Sequence, residues 1–260
     1  MDLNLKDSVV LITGGAKGIG AAIALALGRE GGVPAILDRD AAAIEKLQAE
    51  LYRENIRHKA VLVELTEFLD SSRAVEEVGQ EFGRIDGLVN NAGLNDGVGL
   101  EHGSPQRFVS SLKCNLVHFY TISQAALPFL KRSKGSIVNM ASKVAVTGQG
   151  GTSGYAAAKG AILELTAQWA EELSSYGVRV NAIVPAEVMT PQYSDWLKKF
   201  ERPEQELRKI VDRIPLGHRM TEPEEIAAMA IFLLSHRSEG ITGQHLFVDG
   251  GYIHLDRRLA

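Results

Sequence analysis

The chain has 260 residues, of which 45% are hydrophobic and 23% charged, which suits one large α/β domain with a sizeable core. A formal net charge of −4 removes any general attraction to nucleic acid or anionic lipid, and no apolar run approaches the ~18 residues of a membrane span. The opening MDLNLKDSVV lacks the basic-then-apolar order of a secretory signal, and the single cysteine, Cys114, excludes an intrachain disulfide, so a cytoplasmic setting is expected.

Short apolar runs alternate with longer helical patterns along the chain. Strands are expected at 9–12, 35–37, 60–65, 85–89, 136–140, 178–184 and 245–248. Helices are expected at 21–29, 40–54, 70–82, 155–175 and 223–234, with one long helical stretch over 104–130. This alternation predicts a single Rossmann-type domain over 1–260, a doubly wound parallel α/β sheet with helices on both faces. The strands are apolar throughout because such a sheet is buried on both sides. Residues 186–219 read as an irregular insertion after a strand end, the usual place of a substrate lid.

Thr13-Gly14-Gly15-Ala16-Lys17-Gly18-Ile19-Gly20 joins the first strand to the first helix. Glycines let a backbone turn tightly and approach a pyrophosphate, and the helix start offers free N–H groups. A plain tight turn would use the same residues, but Asp38 ends the second strand about 20 residues on, where an acid can accept from ribose hydroxyls. Asp38 disfavours a 2′-phosphate, whereas Lys17 and Arg39 are cations able to hold one or simply to face solvent, so the cofactor is NAD or NADP.

Tyr155 and Lys159 stand at i and i+4, on one helix face. A phenol of pKa about 10 is a poor base at neutral pH, and a neighbouring ammonium is expected to lower it. Ser142 follows a strand run, at the carboxyl end where α/β sheets bind ligands. Asn115, within Lys113-Cys114-Asn115-Leu116, could be an ordinary solvent-facing helix residue.

The spacing Gly14-x3-Gly18-x-Gly20, the run Asn90-Asn91-Ala92-Gly93, and Ser142, Tyr155 and Lys159 resemble the motifs of the short-chain dehydrogenase/reductase family from end to end. The resemblance implies hydride transfer at a nicotinamide, with Tyr155 as general acid/base and Ser142 orienting the substrate oxygen. Lys159 would lower the Tyr155 pKa and hold the nicotinamide ribose, and Asn115 would position a relay water. It places Gly14, Lys17, Gly18, Ile19, Gly20, Asp38, Arg39, Glu64, Leu65, Asn91, Ala92, Gly93, Tyr155, Lys159, Pro185, Val188 and Thr190 around the cofactor. Ala186 departs from the Pro-Gly pair the family usually has after the sixth strand, so the local backbone is expected to differ.

The expected substrate wall is polar: Asn95, Asp96, Ser142, Lys143, Gln149, Tyr155 and Glu187, with Tyr193 and Trp196 as a possible aromatic side. Such groups suit a polyhydroxylated substrate. The tail from Gly250 to Leu259 is similar to that of sugar-oxidising members of the family, which implies oxidation at C1 of L-fucose or a related aldose to a lactone. Reduction of a 3-oxoacyl thioester and a non-catalytic nucleotide-binding regulator remain as alternatives. The family also implies a homotetramer, with residues 254–258 reaching a neighbouring subunit. The seven histidines lack any metal-ligand spacing, so no metal is expected.

Overall fold

The computed structural model describes residues 2–255, so the tail positions Asp256 to Leu259 read above lie outside the described residues. Seven strands form one parallel sheet in the order β3-β2-β1-β4-β5-β6-β7. They are β1 (Val9–Thr13), β2 (Val33–Asp38), β3 (Lys59–Leu62), β4 (Gly87–Asn90), β5 (Ser136–Met140), β6 (Arg179–Pro185) and β7 (His245–Val248). The chain winds outward from β1 in one direction and from β4 in the other. The β1/β4 boundary is therefore the topological switch point, where a crevice opens beyond the strand ends.

Each strand feeds both faces. In β1, Val9 and Leu11 enter one core cluster while Val10 and Ile12 enter the other. The first cluster packs the sheet against α3 (Phe68–Phe82), α5 (His118–Ser133) and α6 (Ser153–Ser174), through Val75, Val78, Phe119, Ile122, Ile162 and Trp169. The second packs it against α1 (Gly18–Arg29), α2 (Ala41–Arg53) and α9 (Pro223–Leu234), through Ile23, Leu27, Leu47, Leu51, Ile226 and Ile231.

Two expectations change. The stretch expected as one helix over 104–130 is α4 (Pro105–Leu112), a π-helical turn (Lys113–Val117) and α5, which carries Pro128 inside it. The insertion over 186–219 is not irregular: it holds α7 (Pro191–Leu197) and α8 (Pro203–Val211), each begun by a proline that needs no N–H at that position. Among the described residues no helix is long and apolar enough to cross a membrane.

Candidate active site

The carboxyl ends of β1, β4, β5 and β6 converge at the switch point, and each contributes part of one site. Gly14 turns the chain out of β1 with φ of +60°, a conformation that costs a side-chain-bearing residue energy. Gly20 packs directly on the Gly14 carbonyl, leaving no room for a β-carbon. Lys17 precedes α1 and gives it no side-chain cap, so the first N–H groups of that helix stay free. A close-approach glycine turn and an uncapped helix start fit the pyrophosphate of a dinucleotide.

The Asn90–Gly93 segment is tied to that turn. Asn91 Nδ2 donates to the Thr13 and Gly14 carbonyls at 3.0 and 3.1 Å, and Thr13 Oγ1 accepts from Asn91 N and Ala92 N. Asn90 is fully buried and donates to Ser123 Oγ and to Asn139 Oδ1, both at 3.0 Å, bracing β4 against α5 and β5.

Asp38 is buried at the end of β2, and its two carboxylate oxygens accept from Ala16 N and Asp40 N at 3.0 Å. It therefore fixes the glycine turn. Both expected phosphate-binding cations are already paired: Lys17 with Asp40 at 2.6 Å and Arg39 with Glu64 at 3.0 Å. Burial pushes the Glu64 carboxyl up, but hydrogen bonds from Arg39 and Thr66 outweigh it and hold the group below its ordinary value. Leu65 is buried in the core, and Ile19, in the first turn of α1, is partly buried.

Ser142, just after β5, and Tyr155, on α6, come side by side, with the Ser142 hydroxyl close enough to favour the ionised form of the phenol. Lys159 is 2% exposed and donates from Nζ to the Met140 carbonyl at 2.7 Å. Its Nζ lies 5.5 Å from the centre of the Tyr155 ring. Burial pushes the Lys159 ammonium down to about 7 and the Tyr155 phenol up to about 12, with the Ser142 hydroxyl acting the other way on the phenol. The expected lowering of Tyr155 is thus reversed in the protein alone: desolvation of the phenolate dominates, and burial weakens the hold of Lys159 on its own charge.

Asn115 does not face solvent; it is fully buried at the middle of the π-helical turn. Its Oδ1 accepts from Leu94 N at 2.7 Å, and its Nδ2 donates to the Ser111 carbonyl at 3.0 Å. The Asn115 amide thus ties the π-helical turn back to α4.

Beyond β6, Pro185 closes the strand against Val248, and Ala186 keeps a backbone outside the left-handed region. Val188 is buried and bridges to Thr221. Thr190 caps α7 by accepting from Tyr193 N, and its Cγ2 would lie 3.3 Å from a β-carbon on Gly18, which places it at the glycine turn.

The expected substrate residues divide. Lys143 and Glu187 form a buried ion pair, and Tyr193 donates its hydroxyl to the other Glu187 oxygen at 2.8 Å. Lys143 also lies 4.5 Å from the centre of the Tyr252 ring. These charges satisfy each other rather than standing free. Asn95 is exposed and accepts from Gly97 N, Asp96 keeps one buried oxygen without a partner, and Gln149 is exposed on a glycine-rich loop. Sequence reasoning missed Thr13 and the Met140 carbonyl as anchors. It foresaw Tyr193 only as an aromatic wall. Among the described residues no cluster of His, Cys, Asp or Glu is placed to hold a metal ion.

A glycine turn at a parallel-sheet switch point, with a Ser–Tyr–Lys group at the next strand end, defines a nucleotide-binding oxidoreductase architecture. The profile of the family described as enoyl-(acyl carrier protein) reductase matches residues 14–253, and the chain belongs to the short-chain dehydrogenase/reductase family. It is 37% identical to L-fucose dehydrogenase of Bos taurus over 96% of this chain and 91% of that protein. It is 34% identical to 3-oxoacyl-(acyl-carrier-protein) reductase FabG of Thermotoga maritima over 96% of this chain and all of that protein. The crystal structure of Cj0485 dehydrogenase is 45% identical, covers 100% of this chain and 99% of its own, and superposes with a TM-score of 0.92.

Proposed function

We propose that the chain is an NAD-dependent dehydrogenase that oxidises the C1 hydroxyl of an aldose, with L-fucose or a stereochemical relative as substrate, to the lactone. The observation that carries the chemistry is buried Lys159, whose Nζ lies 5.5 Å from the centre of the Tyr155 ring, with Ser142 at the strand end beside that phenol. A bound nicotinamide would supply the hydride acceptor. Ser142 donates to the substrate oxygen and holds it at the Tyr155 hydroxyl. As the phenolate, Tyr155 takes the hydroxyl proton while the C1 hydride leaves, and so becomes the phenol. Lys159 stabilises the phenolate form, and Asn115 sets the wall behind Lys159. Positioning is the main contribution of the protein.

NAD is favoured over NADP because an acid, Asp38, ends β2 beside the glycine turn and would oppose a 2′-phosphate, while Lys17 and Arg39 are neutralised by Asp40 and Glu64. Gly14, Gly18, Ile19 and Gly20 would hold the pyrophosphate, Asn91 to Gly93 and Leu65 the adenosine side, and Pro185, Val188 and Thr190 the nicotinamide. The sugar reading draws on the similarity to L-fucose dehydrogenase and on the polar rim of Asn95, Asp96 and Gln149. Residues 186–219 act as the lid of a domain spanning 1–260. The assembly is a homotetramer, supported by the exposed Val109 and Tyr120 on α4 and α5.

The test is the appearance of reduced cofactor with L-fucose, L-galactose, D-arabinose and D-glucose, each with NAD and with NADP, beside a 3-hydroxyacyl thioester. Selective turnover of L-fucose and its relatives with NAD is expected. Turnover of the thioester alone would replace the sugar with the FabG-like reaction.

A further inference from the structure

Lys143 and Glu187 form a buried ion pair that no step of the proposed reaction uses, each side chain being about nine-tenths buried. Taking two charges out of water costs about as much as their attraction returns, so apolar side chains would hold this place in the fold equally well. A structural role alone leaves the charges unexplained.

The pair stands where a substrate has to pass. Lys143 follows Ser142 directly, and Ser142 Oγ accepts from Val144 N at 3.5 Å, capping the short 3-10 turn Lys143–Ala145 that carries the lysine. Glu187 lies two residues past Pro185, the end of β6, and next to Val188. β5 and β6 are neighbours, joined as far as Ala141 N and the Ile183 carbonyl. The pair therefore bridges the segment that would hold the reacting oxygen and the segment that would hold the nicotinamide. A carbon that passes a hydride to the nicotinamide while Ser142 and Tyr155 hold its oxygen lies between those segments, and the bridge borders the groups on the adjoining carbon.

The two charges neutralise each other but keep hydrogen-bonding capacity. An ammonium has three N–H donors, and among the described residues Lys143 Nζ has one acceptor, Glu187 Oε1, while lying 4.5 Å from the centre of the Tyr252 ring. The other Glu187 oxygen accepts from Tyr193 at 2.8 Å. Burial and then the Glu187 charge push the Tyr193 phenol up, so it stays the donor. A carboxylate offers about four lone-pair sites, so Glu187 can accept again. A spare donor beside a spare acceptor matches a hydroxyl, which accepts from the first and donates to the second. A methylene matches neither.

We propose that Lys143 and Glu187 are specificity-determining residues that bind the hydroxyl on the carbon next to the reacting one, so that the site selects a vicinal diol. In an aldose oxidised at C1 this is the C2 hydroxyl: Lys143 donates to its oxygen, and Glu187 accepts a hydrogen bond from it. Tyr193 and Tyr252 hold the two charged groups in place. The assignment deepens the sugar reading given above and rests on it.

The test is binding, which needs no turnover. Tyr155→Phe protein loaded with NAD is titrated in a calorimeter with L-fucose and with 2-deoxy-L-fucose. L-Fucose is expected to bind about 10- to 100-fold more tightly, the span of a hydrogen bond to a charged group. Adding Lys143→Met and Glu187→Leu together should weaken L-fucose and bring the two affinities within about twofold, with a thermal melt to check that the variant is folded. Glu187→Gln, which keeps the size and an oxygen for Lys143, is the gentler second variant and should cut the preference severalfold. A preference that survives unchanged in the folded variants, as a merely structural pair would leave it, overturns the proposal, and so does equal binding of the two sugars before either change. Failure of both sugars to bind the NAD-loaded protein would bring down the sugar reading itself, and this assignment with it.

Discussion

Gly93 runs so close to Lys159 that a β-carbon on it would stand 3.3 Å from Lys159 Nζ and 3.2 Å from Asn115 Oδ1. The last residue of the Asn90–Gly93 segment therefore sets the space in which both side chains are held. Gly93→Ala should push them back by a few tenths of an ångström. Because a misplacement of ~1 Å can cost about 10²-fold, kcat is expected to fall roughly tenfold. Steady-state kinetics beside a thermal melt check this. A loss of Tm with kcat unchanged would make the contact structural only.

Lys159 also makes stability depend on pH. Its ordinary value is 10.5 and burial takes it to about 7, so between those values the unfolded chain binds more protons than the folded one. Stability contributed by this group therefore rises with pH through that window, and the full penalty of a buried ammonium is present below about 7. Lys159→Met should raise Tm at pH 7 and leave it nearly unchanged at the alkaline end, while abolishing activity. Each kcal/mol is worth about 2–4 °C in a chain of this size. Equal shifts at both ends of the window would contradict the depressed value.

The Lys143–Glu187 pair joins the segment after β5 to the segment after β6, and each side chain is about nine-tenths buried. Removing one partner strands the other charge, at a cost of about 3–5 kcal/mol. Lys143→Met is therefore expected to lower Tm by about 10 °C. Lys143→Met combined with Glu187→Leu should recover most of that loss, because a buried ion pair exchanged for apolar groups is nearly neutral. Thermal melts of the two single variants and the double variant complete the cycle; additive losses would mean that the two residues are not coupled.

Much of this was legible in the sequence. Residues 136–140, 223–234 and 245–248 form the expected elements without change, because their apolar runs are bounded by glycine or proline and point to one period only. The π-helical turn was hidden: one extra residue per turn leaves the apolar pattern of α4 and α5 nearly unbroken, so Asn115 looked like a surface residue. Helices α7 and α8 were hidden by charge and by Pro191 and Pro203, although Thr190 followed by proline is itself a helix-start signal. The glycine turn, Ser142, Tyr155 and Lys159 could be named because they lie in short local motifs. The pairing of Lys143 with Glu187, 44 positions away, and of Arg39 with Glu64, 25 positions away, exists only once the sheet has formed. The direction of the Tyr155 shift depended on burial, which no spacing reports.

The account stands most directly on Tyr155. Reduced-cofactor binding and L-fucose oxidation with NAD should be measured on the unaltered chain and on Tyr155→Phe. The variant should bind the cofactor almost normally and lose about 10³-fold in kcat, within the range of a missing general acid/base. Retention of the full kcat by Tyr155→Phe would contradict the proposed chemistry at its centre.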